Sequence, residues 1–253
     1  MPAVNYEELA RFYDALVTDD SDLPYFRDLA RQADGPVAEF MAGSGRLSVP
    51  IAEDGIDLTC DDSSQEMLSL LREKLVARGA RAQVVCGDVT RVELGTQFTL
   101  IFIAYHSFEE LASDTERQAC LENVLRHLHA GGRFVCTTHD VPSRLASVGR
   151  GKGDRWRFRD PQSQREVTLS LETEYDDTTG VVQGEEALSF ANDDVPFLRL
   201  PLRFRLIRPD AFSHLADEAG FIVESVRADF TTTEYREGQC RTAVWTLCPR
   251  RTV

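Results

Sequence analysis

Three acidic side chains end or follow strand-like apolar segments in the first third of the chain. Glu39, Asp62 and Asp88 come at the ends of the first three predicted strands. In an open parallel sheet the carboxyl ends of the strands meet at one edge, and ligands bind there. Asp62 could accept hydrogen bonds from both ribose hydroxyls, and Asp88 could accept one from an adenine amino group. Asp62 could also be a helix cap and Asp88 an ordinary turn residue. The coincidence of all three acids therefore predicts a nucleoside-like ligand.

A tight glycine turn follows the first strand. The segment Val37–Leu47 passes from apolar residues through an acid to Gly43-Ser44-Gly45, and a helix is predicted over Arg46–Glu53. Glycines let a ligand approach the main chain, and a helix N-terminus offers free N–H groups. Dinucleotide-binding turns carry a third glycine three places after the second, where this chain has Ser48. The turn therefore predicts a nucleotide-like ligand and argues against a pyrophosphate.

The predicted elements alternate between strand and helix after a helical lead-in at residues 4–33. The run Phe98–Ala104 is apolar without alternation, which is typical of a parallel strand covered on both faces. The other predicted strands and helices are Ile56–Asp61, a helix from Ser64 to Arg78, Ala82–Cys86, a helix over Asp114–His129 closed by Gly131-Gly132, and Arg133–Thr138. This order predicts an α/β fold, a Rossmann-like doubly wound, mostly parallel sheet of seven strands.

The pattern changes at Val141, after the fifth strand. Residues 155–208 alternate between polar and apolar side chains with a period of two, which predicts an antiparallel β insertion over residues 141–208. Pro209 then begins a helix that ends near Gly220, and residues 221–230 and 240–249 form a closing hairpin. We expect residues 1–140 and 209–253 to form one domain around this insertion.

The insertion is rich in arginine although the chain as a whole is acidic. Its arginines fall on two strand faces: Arg155, Arg157 and Arg159 on one, and Arg199, Arg203 and Arg205 on the other. Such faces are usually solvated. The alternatives are contact with an anionic substrate, or a homodimer formed through the insertion.

The composition limits the classes of partner and site. With 42 acidic and 28 basic residues, the formal net charge is -14, which disfavours nucleic acid and anionic membranes. The six cysteines show no paired or histidine-containing ligand spacing, so neither disulfides nor a metal site is predicted. No leader-like or membrane-spanning segment is apparent. We expect a soluble, cytoplasmic protein.

The motifs together resemble the class I S-adenosylmethionine-dependent methyltransferases, over residues 5–140 and the closing helix and hairpin. The segment Glu39–Gly45 matches their acid and glycine pattern, except that Met41 stands where glycine is usual. The segment Asp62–Leu68 matches their aspartate, serine and Met-Leu pattern, and Gly87-Asp88 also fits. Within that family the chain is most similar to small-molecule methyltransferases with an antiparallel insertion, including aminosugar N-methyltransferases of natural-product pathways.

The resemblance implies S-adenosylmethionine as cofactor, S-adenosylhomocysteine as product and a small-molecule acceptor under the insertion. It places Glu39 near the methionine amino group, Asp62 at the ribose, Asp88 with Val89 at the adenine, and Tyr13 at the transfer channel. The other cofactor-binding residues that it implies are Met41, Ala42, Gly43, Gly45, Ser63, Met67, Gly87 and Ala104. The sulfonium is already a strong methyl donor, so the protein has to align the acceptor and exclude water.

A general base is needed only if the acceptor arrives protonated. His106 follows the fourth strand and is the first candidate; Glu110 lies in the same segment, and His139 follows the fifth strand. Tyr13 is a further catalytic candidate. Each histidine could instead be bonded to backbone and serve only packing.

Two other functions remain open from the sequence. A nicotinamide-dependent oxidoreductase is disfavoured by Ser48 at the third glycine place and by the absence of a Tyr-x-x-x-Lys pair in the helix after the fourth strand. A non-catalytic S-adenosylmethionine-binding protein is conceivable because of Met41. The expected reaction is transfer of a methyl group to nitrogen or oxygen of a small molecule.

Overall fold

A computed structural model describes residues 5–147, 154–191, 193 and 195–250. It begins with two lead-in helices, α1 (Tyr6–Leu16) and α2 (Leu23–Gln32). In α1 the apolar side chains recur at helical spacing and bury Leu9 and Phe12. Pro24 occupies the first turn of α2, where its missing N–H is not needed. The lead-in predicted from periodicity is therefore present.

Parallel strands and helices alternate through the next hundred residues. The elements are β1 (Val37–Phe40), α3 (Ser48–Glu53), β2 (Leu58–Asp62), α4 (Gln65–Arg78), β3 (Gln83–Cys86), β4 (Phe98–Ile103), a 3-10 helix (Ser107–Glu110), α5 (Asp114–His127) and β5 (Leu128–His139). Ser64 caps α4 by accepting from the Met67 amide at 3.2 Å. The helix predicted from Arg46 begins two residues later, at Ser48.

The glycine pair before the fifth strand has a different place from the one predicted. Helix α5 ends at His127, and Gly131 and Gly132 lie inside β5 rather than closing the helix. A Cβ on Gly132 would lie 2.9 Å from the carbonyl oxygen of Phe98. Gly132 thus permits close contact between β5 and the start of β4, a tertiary requirement that local sequence does not reveal.

The insertion consists of helix α6 (Val141–Ser147), which the sequence did not predict, and four antiparallel strands. These are β6 (Asp154–Arg159), β7 (Glu166–Asp176), β8 (Val181–Phe190) and β9 (Leu198–Arg205), hydrogen-bonded in that order. Phe12 of α1 packs with Val167, Leu169 and Leu188 of this sheet. The lead-in helix therefore joins the insertion to the parallel sheet.

The chain returns through α7 (Pro209–Glu218) to the hairpin of β10 (Phe221–Ala228) and β11 (Thr242–Pro249). The main sheet has seven strands in the order β10-β11-β5-β4-β1-β2-β3, and β11 runs antiparallel to β5. Side chains of β4 alternate between two apolar cores, with Ile101 and Ile103 in one and Leu100 and Phe102 in the other. The predicted doubly wound, seven-stranded fold is confirmed.

Several insertion arginines have partners within the chain. Arg199 is paired with Glu185 on the neighbouring strand, and Arg205 bonds to Asp114 at 2.7 Å. The side chain of Arg155 lies outside the described part of the chain. A homodimer through this sheet stays a prediction.

Candidate active site

A cavity of about 760 Å³ lies at the carboxyl edge of the parallel strands, between that edge, α1 and β9. Ten of the sequence-predicted site residues line it: Tyr13, Met41, Gly43, Asp62, Ser63, Met67, Gly87, Asp88, Val89 and Glu110. Six others are not part of its wall: Glu39, Ala42, Gly45, Ala104, His106 and His139. The topology thus brings most of the predicted groups together around one cavity.

The turn after β1 has an unusual backbone at its start. Met41 has a φ of 57°, in the left-handed region that favours glycine, and Gly43 has a φ of 56°. The Met41 side chain packs against the apolar core while lining the cavity. A Cβ on Gly45 would lie within 3.3 Å of both Leu71 and Val49, so that glycine allows α4 to pack closely. Met41 therefore keeps the backbone conformation that the usual glycine would provide.

The Asp62 carboxylate is hydrogen-bonded to the glycine turn that follows β1. Its carboxylate accepts hydrogen bonds from the Gly43 amide at 2.7 Å and from the Ser64 amide at 2.8 Å. Burial raises the pKa of Asp62, although these amide hydrogen bonds oppose the shift. Asp88 uses one carboxylate oxygen to accept from the amide and hydroxyl of Thr90. Both acids still face the cavity that they line.

Glu39 is buried beneath the turn, with 4% of its surface exposed. It accepts a hydrogen bond from the hydroxyl of Ser48, the residue at the third glycine place. Burial raises the pKa of Glu39 to about 8, against the effects of Ser48 and Arg46. In this structure Glu39 stabilises the interior of the turn rather than forming the cavity wall.

A carboxyl and two phenols face the cavity from the side of the lead-in helix. The Tyr6 hydroxyl donates to Glu110 Oε1 at 2.7 Å, and the Tyr6 and Tyr13 rings are in edge-to-face contact with centroids 6.1 Å apart. Burial raises the pKa of Glu110 to about 7, although the hydrogen bond from Tyr6 opposes it. A carboxyl in this state can exchange a proton near neutral pH.

The two candidate histidines form a separate, half-buried network. The rings of His106 and His139 stack with centroids 3.8 Å apart. His106 Nε2 bonds to the Thr242 hydroxyl at 3.0 Å, and His139 Nδ1 is paired with Glu109. Burial lowers the pKa of both histidines and raises that of Glu109 to about 7. Both rings therefore favour the neutral state, and their known partners tie them to β11 and the 3-10 helix.

Ten of the twenty residues that line the cavity were not among the predicted site residues, and two of these ten, Tyr6 and Asp61, carry polar groups that bear on the chemistry of the site. Tyr6 lies seven positions before Tyr13, two helical turns away on the same face, so its spacing was a usable signal. Asp61 also lines the cavity while being almost fully buried. Its signal was an acid at the carboxyl end of the second predicted strand, directly before Asp62.

Two classes of feature are missing from the described part of the chain. No group of three or more His, Cys, Asp or Glu side chains there could hold a metal ion. Over the same residues, no helix is long and apolar enough to cross a membrane.

The segment that forms most of the cavity is similar to known methyltransferases. Residues 37–132, which contain β1 to β4 and most of the cavity wall, match the family model described as "Methyltransferase domain". This segment is a methyltransferase domain. A protein of Geobacillus sp. (strain WCH70) that bears a provisional methyltransferase name is 22% identical over 148 residues. That match covers 54% of this chain and 59% of the relative.

Solved structures extend the similarity beyond the methyltransferase domain to nearly the whole chain. The CcbJ methyltransferase from Streptomyces caelestis has a TM-score of 0.81 at 21% identity, covering 97% of this chain and 98% of its own. The sugar N-methyltransferase KedS8 from Streptoalloteichus sp ATCC 53650 has a TM-score of 0.73 at 18% identity, covering 95% and 92%. The amino pentose methyltransferase CalS10 from Micromonospora echinaspora, solved with S-adenosylmethionine bound, has a TM-score of 0.65 at 16% identity, covering 96% and 91%.

The predicted resemblance to S-adenosylmethionine-dependent methyltransferases is confirmed in domain and in fold. The match to a methyltransferase domain also disfavours the nicotinamide-dependent oxidoreductase that the sequence left open. S-adenosylmethionine in CalS10 agrees with the cofactor predicted for this chain.

Proposed function

We propose that this protein transfers a methyl group from S-adenosylmethionine to an amino group of a small-molecule acceptor in a biosynthetic pathway. The observation on which this rests is the Glu110 carboxyl, which faces the cavity, bonds to Tyr6 and has its pKa raised to about 7. Such a group suits an acceptor that arrives as an ammonium and must lose a proton. KedS8 and CalS10 are named for a sugar N-methyl transfer and an amino pentose acceptor, which supports the same acceptor class.

The cofactor is held at the carboxyl edge of β1 to β3. Asp62 accepts hydrogen bonds from the ribose, and Asp88 with Val89 frames the adenine. The backbone at Gly43 lies open to the cavity, since a Cβ there would meet nothing within 4 Å. S-adenosylmethionine supplies an electrophilic methyl group when bound. The residues of this chain orient the acceptor and remove its proton.

Glu110 is the base in this proposal, ahead of His106 and His139. Glu110 lines the cavity, whereas neither histidine does. A carboxyl whose pKa lies near 7 is partly ionised at neutral pH and can accept the proton of an ammonium. Tyr6 holds the carboxyl in place, and Tyr13 packs beside Tyr6 on the same cavity wall.

The insertion covers the acceptor side of the cavity. Arg203 of β9 is part of the cavity wall. The end of the insertion is tied to the 3-10 helix, because Glu109 accepts from the Ile207 amide at 3.3 Å and Arg117 donates to the Arg205 carbonyl. In this proposal β9 thereby completes the wall of the small-molecule site.

The test offers the protein a panel of amino sugars and the corresponding sugars with hydroxyl in place of amine. Methyl transfer is measured as the release of S-adenosylhomocysteine. We expect transfer to amines only. Glu110→Gln should lower turnover by roughly a hundredfold or more while leaving S-adenosylmethionine affinity nearly unchanged. The wild-type rate should rise with pH through about 7, and this rise should be absent in the variant.

A matched pair of variants separates Glu110 from the other candidates. Because the Tyr6 hydrogen bond lowers the pKa of Glu110, Tyr6→Phe should move the rising limb of the pH profile to higher pH. His106→Ala should leave the pH of that rising limb unchanged. If Glu110→Gln retains full turnover while His106→Ala loses it, the base is His106. Methylation of hydroxyl acceptors alone would contradict the amine assignment, and absence of turnover with every acceptor would favour a non-catalytic binding protein.

A further inference from the structure

Asp61 is a buried carboxyl without a partner in the described structure. It lies near the end of β2, 1% of its surface is exposed, and it forms part of the cavity wall. Neither carboxyl oxygen has a hydrogen-bond partner among the described residues. Buried carboxyl oxygens in folded proteins are almost always hydrogen-bonded, so an orphaned one at a cavity wall requires an explanation.

The strand geometry explains why Asp61 and Asp62 have different surroundings. Side chains alternate along a strand, so Asp61 faces the side opposite to Cys60 and Asp62. Asp62 is turned toward the Gly43 and Ser64 amides, and each amide donates one hydrogen bond to one of its two oxygens. Asp61 has no such amides; it lies beneath the Gly87 backbone, where an added Cβ would be 2.7 Å from Asp61 Oδ1.

No cation among the described residues compensates the Asp61 carboxyl. The charged groups that act on it are Asp62 and Asp88, and both repel a carboxylate. Burial, followed by these two acids, raises the pKa of Asp61 to about 7. Within the described ranges, the residues around Asp61 therefore supply neither a hydrogen-bond donor nor a positive charge, and the missing partner has to come from the cavity.

We propose that Asp61 is a third ligand-binding carboxyl, which accepts a hydrogen bond from an N–H or O–H donor in the adenosine half of the cofactor. This assignment rests on the proposed function. The adenosine half is favoured because Asp61 shares its part of the cavity wall with Gly87 and with Asp62 and Asp88, the groups assigned to ribose and adenine. The donor is either the exocyclic amine or a ribose hydroxyl.

Asp61→Asn is the informative variant, because it preserves the shape of the side chain and removes the charge. A ligand-binding carboxyl without protein partners should have opposite effects on folding and on binding. The ligand-free variant should be at least as resistant to urea as wild type at pH 8, whereas its affinity for S-adenosylhomocysteine should fall tenfold or more. A structural carboxyl would lower stability and leave affinity unchanged.

Cofactor analogues identify the donor by calorimetry. If the exocyclic amine is the partner, the difference between wild type and Asp61→Asn should disappear with S-inosylhomocysteine. If a ribose hydroxyl is the partner, it should disappear with the 2′-deoxy or the 3′-deoxy form of S-adenosylhomocysteine. A difference that persists undiminished with all three analogues would overturn the placement at adenosine.

Two further outcomes are distinguishable. If wild type binds S-adenosylhomocysteine and the dissociation constant of Asp61→Asn is within twofold of the wild-type value, the role of Asp61 is overturned. The proposed function is unaffected by that result. Failure of wild type to bind S-adenosylmethionine or S-adenosylhomocysteine would overturn the proposed function, and the Asp61 assignment with it. As a matched control, Glu93→Gln changes an exposed acid outside the cavity wall and should alter neither stability nor affinity.

Discussion

Replacing Glu39 by glutamine should reduce the pH dependence of stability by an amount that the structure predicts. The folded protein holds the Glu39 proton up to a pKa of about 8, whereas the ordinary value for this group is 4.5. Between these values the folded state binds more protons than the unfolded state. The stability contributed by Glu39 is therefore present at low pH and is lost as pH rises through this window.

The size of the effect follows from the two pKa values. Raising the pH from about 6.5 to about 8.5 should cost roughly 2 kcal/mol of unfolding free energy through Glu39 alone. Asp61, Glu109 and Glu110, whose pKa values are raised to about 7, act in the same direction. Each adds less than about 1 kcal/mol, because most of its titration lies at the lower end of the window.

Glu39→Gln keeps an oxygen that can accept from the Ser48 hydroxyl but cannot ionise. Urea unfolding of the ligand-free protein at both pH values should show a wild-type loss that exceeds that of the variant by roughly 2 kcal/mol. Glu93→Gln, an exposed acid, should behave as wild type. Equal pH dependence in wild type and Glu39→Gln would refute the reasoning, because Glu39 would then already be ionised in the folded protein at neutral pH.

Three further changes have outcomes fixed by contacts in the structure. Gly132→Ala should destabilise the protein by roughly 1–3 kcal/mol in urea unfolding, because its Cβ would lie 2.9 Å from the backbone of β4. Gly131→Ala is the matched control and should destabilise the protein much less, because the nearest atom to its Cβ would be 3.8 Å away. Arg117→Met should cost roughly 2 kcal/mol, because it leaves the Leu111 and Arg205 carbonyls without their donor. Asp62→Ala should weaken S-adenosylmethionine binding by roughly 1–3 kcal/mol in calorimetry, and unchanged affinity would contradict its assignment to the ribose.

The fold was largely predictable because its signals are local. The apolar run of β4 predicted a strand covered on both faces, and β4 does alternate between two cores. Ser64 predicted the start of α4, and Pro209 predicted the start of α7. The period of two after Val141 predicted the antiparallel sheet. Each of these features depends on residues within a few positions of one another.

Errors occurred where a distant segment decided the outcome. Gly131 and Gly132 have the composition of a helix end, yet they lie in β5 because that strand must approach the backbone of β4 closely. The sequence showed only that Met41 stands where the resembling family usually has glycine. In the structure it accepts a left-handed backbone and packs its side chain against the core.

The sequence by itself determined which chemical groups are available at the carboxyl edge. The ends of the strands and the glycine turn are local patterns, and parallel strands bring Asp62, Asp88 and Gly43 to the same edge. Tertiary structure alone decided which of the other groups can meet a ligand. Burial and packing by the lead-in helix placed Glu110 and Tyr6 in the cavity wall. Tertiary contacts also bonded His106 to β11 outside that wall, and they left Asp61 without a hydrogen-bond partner among the residues that the structure describes. These outcomes depend on desolvation and on contacts across the whole chain, which no local pattern encodes.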